Sequence, residues 1–509
     1  MTGTDIAKSV HDAGGEPPAP KPKPKKSIFE LSKVMETEKI SPQLEMNITN
    51  MRTMMGSSSD FIVTKGALCG IPVSIMSCEA MVSGDTVAQM VFSTLNTWVS
   101  TLKTDADITP DILRYKLTND LLFSLDKTQV VTLGDAAKYI MSGFIVIFID
   151  GADTGVATGA QGFKSRAVEK ASTQQNLRGS CEGFVEVMRT NVSLIRRRCK
   201  SPSLVFKYMT LGDISNTEIA LTYMTDKADP ALITALEDKI KSIPLGIVLE
   251  GGFIQPFLEE GSGAVFSEVG TTDRPDVLVG KLSEGRVGLI VDGTPYVMYL
   301  PHLFVENFQT MDDYTEAPIY VSMMRWMKYF AFFFTVMLPG FFLALTNFNP
   351  ELIQNKLLTN MVSAVQSTPY PLLLECLLIY VVYEIMREAG LRLPQAVGNT
   401  VSIVGGLVIG DIVVTAGLVG APMVLIVGLT AITSYVVPNL YDAVAVLRFA
   451  FILAGGLLGL YGIALMGVAT MIAVCSMREF GVSYTAPIMP FSAKAMRFVC
   501  GLCGRGYVV

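Results

Sequence analysis

Residues 449–477 contain no Asp, Glu, Lys or Arg, and this uninterrupted apolar run is the feature that most limits what the chain can become. A helix of that length is long enough to cross a hydrocarbon layer of about 30 Å with some tilt. Further apolar runs precede it. Residues 329–345 follow Arg325 and Lys328, and residues 400–419 and 423–437 are separated only by Gly420-Ala421-Pro422, which predicts a tight helical hairpin. Pro339-Gly340 lies inside the first run, and packed neighbours in a membrane tolerate such a break. Residues 371–386 are also apolar but carry Glu375 and Glu384. The last third therefore reads as an α-helical membrane bundle, expected to hold four spans plus one helix, 371–386, that is re-entrant or interfacial.

The excess of apolar residues is confined to that region. From Arg325 onward the chain has ten Lys or Arg and seven Asp or Glu, whereas the part before it has 30 and 39. Overall 50% of residues are apolar, 17% are charged and the mean hydropathy is +0.44. The first two-thirds is thus an acidic soluble region with enough chain for a core, and its charge argues against a nucleic-acid partner. The eight cysteines are scattered, which suits a reducing compartment. No basic segment followed by an apolar one opens the chain, so the soluble region is expected in the cytoplasm. The tail carries Arg478, Lys494, Arg497 and Arg505. The positive-inside rule puts it there too, which requires an even number of crossings.

Residues 1–27 include Pro-Pro-Ala-Pro-Lys-Pro-Lys-Pro-Lys-Lys, a basic extended tail too polar to fold; it is more simply a solubilising segment than a lipid tether. Residues 28–311 mix short apolar runs with helical periodicity. Strands are predicted at 143–149, 204–206, 218–223 and 287–291, and helices at 184–198 and 229–243 with Pro230 in the first turn of the second. Asp292-Gly-Thr-Pro295 reads as a turn between strands. The fold class is α/β or α+β in two subdomains, 28–180 and 181–311, followed by the membrane domain 312–477 and a cytoplasmic tail, 478–509.

Conventional catalysis finds no support. The only histidines are His11 and His302, so a triad or zinc site would rest on His302 alone. The glycine-rich stretch 151–165 does not match a phosphate-binding loop, because Phe163 separates Gly162 from Lys164; a turn is the simpler reading. Cys500 and Cys503 form a lone pair, a weak metal or redox signal. No enzyme, cofactor or metal is expected. The charges at membrane depth say more, since ionisable residues there face a cavity, a pore or a partner charge. Glu384, Arg387 and Glu388 share one helix face, while Glu375 lies on the opposite face. Glu384 and Glu388 are the pore candidates, with a structural Glu384–Arg387 pair an equal alternative, and Glu375 is expected against a neighbouring helix. Gly406 and Gly410 are spaced for close helix packing, as are Gly455, Gly456, Gly459 and Gly462, and the adjacent Asp411 needs a polar neighbour or water.

One stretch is specific. Glu384-Ile-Met-Arg-Glu-Ala-Gly-Leu-Arg-Leu-Pro394, followed by Ser402-Ile-Val-Gly-Gly-Leu-Val-Ile-Gly410, resembles the GerA family of spore germination proteins, the A-type subunits of germinant receptors. Glu182-Gly-Phe, Asn191-Val-Ser-Leu-Ile-Arg-Arg-Arg198, Thr272-Asp-Arg-Pro-Asp276, Glu284-Gly-Arg286, Asp292-Gly-Thr-Pro295 and Asp312-Asp-Tyr314 follow the same family pattern. The resemblance covers about residues 40–490. Cys181 stands where the family usually has Arg, and Ser483-Tyr-Thr-Ala-Pro487 departs from its Pro-Tyr-x-x-Pro. The resemblance implies a subunit of a nutrient-sensing complex in the spore inner membrane. It implies a homo-oligomeric, pentameric, ligand-gated cation channel working with a transporter-like B-type subunit that binds nutrient and a C-type lipoprotein. The helix through Glu384, Arg387, Glu388, Leu391 and Arg392 would then lie near the oligomer axis. A paralogue that amplifies ion release shares this architecture, and a non-conducting signalling scaffold would use the same packing glycines.

Overall fold

The computed structural model describes residues 36–101, 108–121, 126–162, 179–259, 265–392, 406 and 408–489. The basic tail, residues 393–405 and the Cys500–Cys503 pair lie outside the described residues.

The soluble part is built twice on one plan. The first unit opens with helix α1 (Leu44–Met54), then strands β1 (Phe61–Leu68) and β2 (Ile71–Cys78), a helical excursion, β3 (Lys127–Val130), helix α2 (Leu133–Met141), β4 (Phe144–Ile149) and β5 (Gly155–Gly159). The second repeats this with α3 (Met188–Arg198), β6 (Leu204–Leu211), β7 (Thr217–Met224), α4 (Pro230–Lys241), β8 (Gly270–Thr272), α5 (Pro275–Ser283), β9 (Val287–Val291) and β10 (Val297–Leu300). Strand orders are β1-β2-β4-β5-β3 and β6-β7-β9-β10-β8, the same arrangement, with antiparallel pairing throughout. The central strands read as unbroken apolar runs because both faces are covered. Val146 and Phe148 enter one core and Ile145, Ile147 and Ile149 another. In the second unit Leu289 and Ile290 part in the same way. The glycine-rich stretch contributes β5, a ladder strand between β4 and β3.

The repeat extends to single hydrogen bonds. The amide of Leu44 donates to Asp150 Oδ1 (3.0 Å) and that of Met188 to Asp292 Oδ1 (2.9 Å). Each aspartate follows a central strand and satisfies an orphan N–H at a helix start, where its charge also suits the dipole. The next residues, Gly151 and Gly293, take φ of 83° and 93° and donate to Pro42 O and Glu186 O. Asn47 and Asn191 each close a side-chain loop, on Ser41 and on Val185.

The two units are joined by a buried ion pair. Arg196 of α3 reaches Asp60 just before β1 through Nε (2.7 Å) and Nη2 (2.9 Å), with both side chains 0% exposed. Ser58 Oγ and Cys78 Sγ also donate to Asp60, and the guanidinium lies over the Phe206 ring at 4.9 Å. Burial alone would raise the Asp60 pKa; Arg196 and these donors bring it below the usual carboxylate value.

The remainder is helical: α6 (Pro318–Phe348), α7 (Asn355–Gln366), α8 (Leu372–Arg392), a short turn through 408–415, α9 (Ala421–Ser434) and α10 (Tyr441–Ser476). Two elements, Pro318–Phe348 and Pro438–Ser476, are long and apolar enough to cross a membrane; Ala421–Ser434 is apolar but shorter. The run 449–477, expected as a single tilted span, is not one straight helix. Gly459 takes φ 65° and ψ −147° inside α10, a conformation open essentially only to glycine. Its neighbours show that the chain turns back there. Before the break α10 runs parallel to α6: Gly340 packs on Phe451 and Gly455, leaving no room for a Cβ, and Gly459 sits on Phe348 at the far end. After the break, Met477 O accepts from Tyr484 N–H (3.2 Å). The Tyr484 ring lies 6.0 Å from Phe304, and Phe304 lies 5.9 Å from Phe332 near the start of α6. Phe332 and Phe348 are about 24 Å apart along a helix, so residues 460–476 retrace the bundle.

Helix α8 also extends well beyond 371–386 and traverses the bundle. Leu373 meets Gly456 near the far end, and Glu384 reaches Tyr441 at the soluble-domain end. The chain is back at the far end by Gly420, whose amide donates to Glu375 (2.5 Å). Helix α9 then returns, with Thr430 on Tyr380 (2.5 Å) and Thr433 on Thr335 (2.6 Å). Among the described residues α6, α8, α9 and both limbs of α10 run along the bundle. Helix α8 runs past the expected 371–386, and α10 folds back at Gly459 where one tilted span was expected. Both ends of the bundle lie on the soluble domain's side.

Candidate functional site

The charged residues of α8 gather at the soluble-domain end of the bundle. Glu384 receives Arg448 of α10, the Tyr441 hydroxyl (2.8 Å) and Arg387 Nε (3.2 Å). Arg387 lies 3.5 Å over the Tyr441 ring. Arg448 is wholly buried, stacked 4.8 Å over Tyr380 and 5.5 Å over Tyr383. Its Nε and Nη1 have no hydrogen-bond partner among the described residues. Two guanidinium groups thus converge on one carboxylate, and Glu384 is neutralised within its own chain.

Its sequence neighbours are arranged differently. Glu388 and Arg392 pair with each other at 2.7 Å across one helical turn, with side chains 50% and 79% exposed. Leu391 beside them is 69% exposed. They continue a stripe up α8 through Leu374, Leu378, Val381 and Ile385, all exposed. The spacing alternates four and three residues, the heptad pattern of a helix that packs along its length against another helix. Glu375, on the other side, is buried between Gly420 N–H and Thr368 Oγ1 (3.3 Å). No described residue lies within 4 Å of a Cβ placed on Gly406 or Gly410, so these glycines make no close contact with the described part of the chain; that role falls to Gly340 and Gly455. Asp411 is exposed on a π-helical turn (Val408–Ile412), with the Thr415 hydroxyl 3.5 Å away.

A second polar cluster lies where the soluble domain meets the bundle. His302 sits between Glu306 (Nδ1, 3.1 Å) and Asn307 (Nε2, 3.2 Å). Glu306 also takes Arg286 (2.6 Å) and Lys281 (3.4 Å). Burial opposes its charge, but these cations hold it well below the usual carboxylate range. The chain leaving the bundle adds Glu479 and Tyr484. His302 was the only one of these residues weighed for chemistry from sequence, and here it is a buried junction residue. Arg448 was missed as well. It stands alone just before the apolar run, and counting the charge nearest that run would have marked it. Among the described residues, no group of three or more His, Cys, Asp or Glu could hold a metal ion.

Comparison with known proteins matches residues 49–500 to the family described as Bacillus/Clostridium GerA spore germination protein. The chain is 35% identical to spore germination protein KA of Bacillus subtilis (strain 168), over 90% of this chain and 84% of that one. It is 32% identical to the membrane protein YfkQ of the same organism, over 90% and 88%. Among solved structures, the crystal structure of the N-terminal domain of the A subunit of the Bacillus megaterium spore germinant receptor GerK3 aligns with a TM-score of 0.40 at 23% identity. That match covers 52% of this chain and 98% of the other.

Proposed function

This chain belongs to the GerA family of spore germination proteins, and on that premise we propose that it is the A-type membrane subunit of a germinant receptor and forms an oligomeric, nutrient-gated cation channel. It acts without catalysis, in the spore inner membrane, with the soluble domain and the C-terminal tail in the cytoplasm. Its partners are a transporter-like B-type subunit that binds the nutrient, a C-type lipoprotein and further copies of itself, five in all as the family resemblance implies.

The observation that carries the proposal is the outward stripe of α8. Lipid would suffice to cover Leu374, Leu378, Val381 and Ile385, but the stripe continues with the same spacing into the Glu388–Arg392 pair at the soluble-domain end of the bundle. Copies of α8 around an axis would bury the apolar part as a constriction and present the charged part as rings at its mouth, where acidic side chains favour cations. Opening is then a shift between two packings of α8, biased by the ligand-bound partner. Glu384 has a different role in this scheme: held by Arg448, it ties α8 to α10.

The full neutralisation of Glu384 also fits a second reading, a non-conducting scaffold. Liposomes holding this chain with its partner subunits separate the two. Nutrient-dependent monovalent cation flux is expected, and Glu388→Gln should reduce the preference for cations over anions several-fold. Flux that is absent under every partner condition leaves the scaffold, and unchanged selectivity in Glu388→Gln removes the ring assignment.

A further inference from the structure

The chain enters and leaves the bundle through one buried clasp. Inbound residues 301–308 and the outbound hairpin, β11 (Arg478–Glu479) and β12 (Val482–Ser483), are tied by His302 N–H to Glu479 Oε2 (3.3 Å). Phe304 N–H donates to Tyr484 O (2.9 Å), and Asn307 Nδ2 to the Tyr484 hydroxyl (3.4 Å). The second sheet unit holds the inbound side: Arg286 donates to Pro301 O (2.7 Å) and pairs with Glu306 (2.6 Å).

Glu479 is the residue this arrangement leaves poorly served. It is 1% exposed and its Oε1 has no hydrogen-bond partner among the described residues. Its surroundings offer little to a negative charge. From the turn before β8 it faces Glu268, itself 2% exposed. Among the described residues the cations nearby are Arg286 before β9 and Lys239 of α4. Arg286 is committed to Glu306 and Pro301 O, and Lys239 to Leu258 O (2.6 Å) and the Phe480 ring (5.1 Å). From the inbound segment come the His302 ring, turned to Glu306 and Asn307, and Glu306 itself; from the outbound segment, Tyr484.

We propose that this clasp is a proton-operated coupling between the soluble domain and the bundle, closed while Glu479 carries its proton and released when it ionises. Burial pushes the Glu479 pKa up to about 9. The sign follows: an acid with a raised folded-state pKa stabilises most below its ordinary value near 4.5, and that contribution is lost as pH rises through about 9. His302 N–H is shared between Glu268 O (3.1 Å) and Glu479 Oε2, which serves the neutral acid; the ionised one faces the buried Glu268 side chain as well, a cost that separating the two segments relieves. The coupling does not depend on whether the bundle conducts ions.

A native reporter is at hand. Trp326 lies 6.2 Å from Tyr329, which lies 4.3 Å from Phe308, at the inbound end of the clasp. In the full chain in lipid nanodiscs with Trp98→Phe, Trp326 emission should shift with a midpoint near pH 9, and Glu479→Gln, which mimics the neutral acid, should abolish the shift. A shift that persists in Glu479→Gln comes from another group and overturns the proposal. Wild-type protein supplies a test that needs no variant: amide-exchange protection of residues 301–308, corrected for intrinsic rates, should fall at least tenfold between pH 7 and 10. Constant protection across that range also overturns it.

Discussion

At the scale of single residues, the costliest groups are charges that fold only as pairs. Asp60 and Arg196 are 0% exposed and 136 positions apart in the chain. Removing one partner leaves the other buried and alone, a loss of about 3–5 kcal/mol, whereas replacing both by well-packed apolar residues of similar volume is often close to neutral. Arg196→Met should therefore lower the thermal midpoint of the full chain markedly. Adding Asp60→Leu should restore most of it, and a double variant as damaged as the single would show that the surrounding donors, Ser58 and Cys78, matter more than the pair. Such partners were not legible in the sequence. Asp60 sits in a Ser-rich turn and Arg196 in a run of three arginines, and nothing local tells which arginine is buried. Glu384 with Arg387 was legible because both lie on one helix face, and Glu375 could be assigned to a separate face on the same grounds. Arg448 and Glu479 reach their partners only through tertiary folding.

At the scale of elements, apolar periodicity located β4, β6, β7 and β9 and helices α3 and α4, but not β1, β2, β3 or β8, and the glycine-rich stretch read as a turn is strand β5. Residues 287–291 form β9 over the same span, and Asp292-Gly293 makes the turn into β10. What composition does not encode is direction. The run through α10 is uniformly apolar, so one long crossing and two shorter limbs look identical on a hydropathy scale; the backbone of Gly459 decides between them. This has a direct test. If α10 folds back, cysteines placed singly at Asp442 and Ser476 in a cysteine-free background face the same side of the membrane, and one at Ser367, beside Gly417, faces the other. An impermeant maleimide applied to sealed vesicles of known orientation should label the first two alike and the third oppositely. Opposite labelling of 442 and 476 would restore a straight crossing. Gly459→Ala, forced into a conformation that an L side chain resists, should destabilise the bundle by about 1–3 kcal/mol.

At the scale of the whole molecule, duplication of the sheet unit gives a controlled comparison, because the same bond occurs twice in different company. Asp150 and Asp292 each anchor the first amide of a helix, and losing such an acceptor costs about 0.5–2 kcal/mol. Asp150→Ala and Asp292→Ala should therefore weaken α1 and α3 to a similar degree, as read by amide exchange in residues 44–47 and 188–191. Their distant effects should differ. The first unit touches the second through Asp60 and Arg196, through Ser58 and Ser59 on Phe206 and Tyr208, and through Glu79 on Arg189, whereas the second passes from β10 directly into the clasp through Pro301 and His302, with Arg286 holding it. Asp292→Ala should thus lower protection at residues 301–308 while Asp150→Ala leaves it nearly unchanged. Equal loss at the clasp in both variants would mean that the Arg196 pair fuses the two sheets into one mechanical body. A signal arriving anywhere on the soluble domain would then reach the bundle with the same strength.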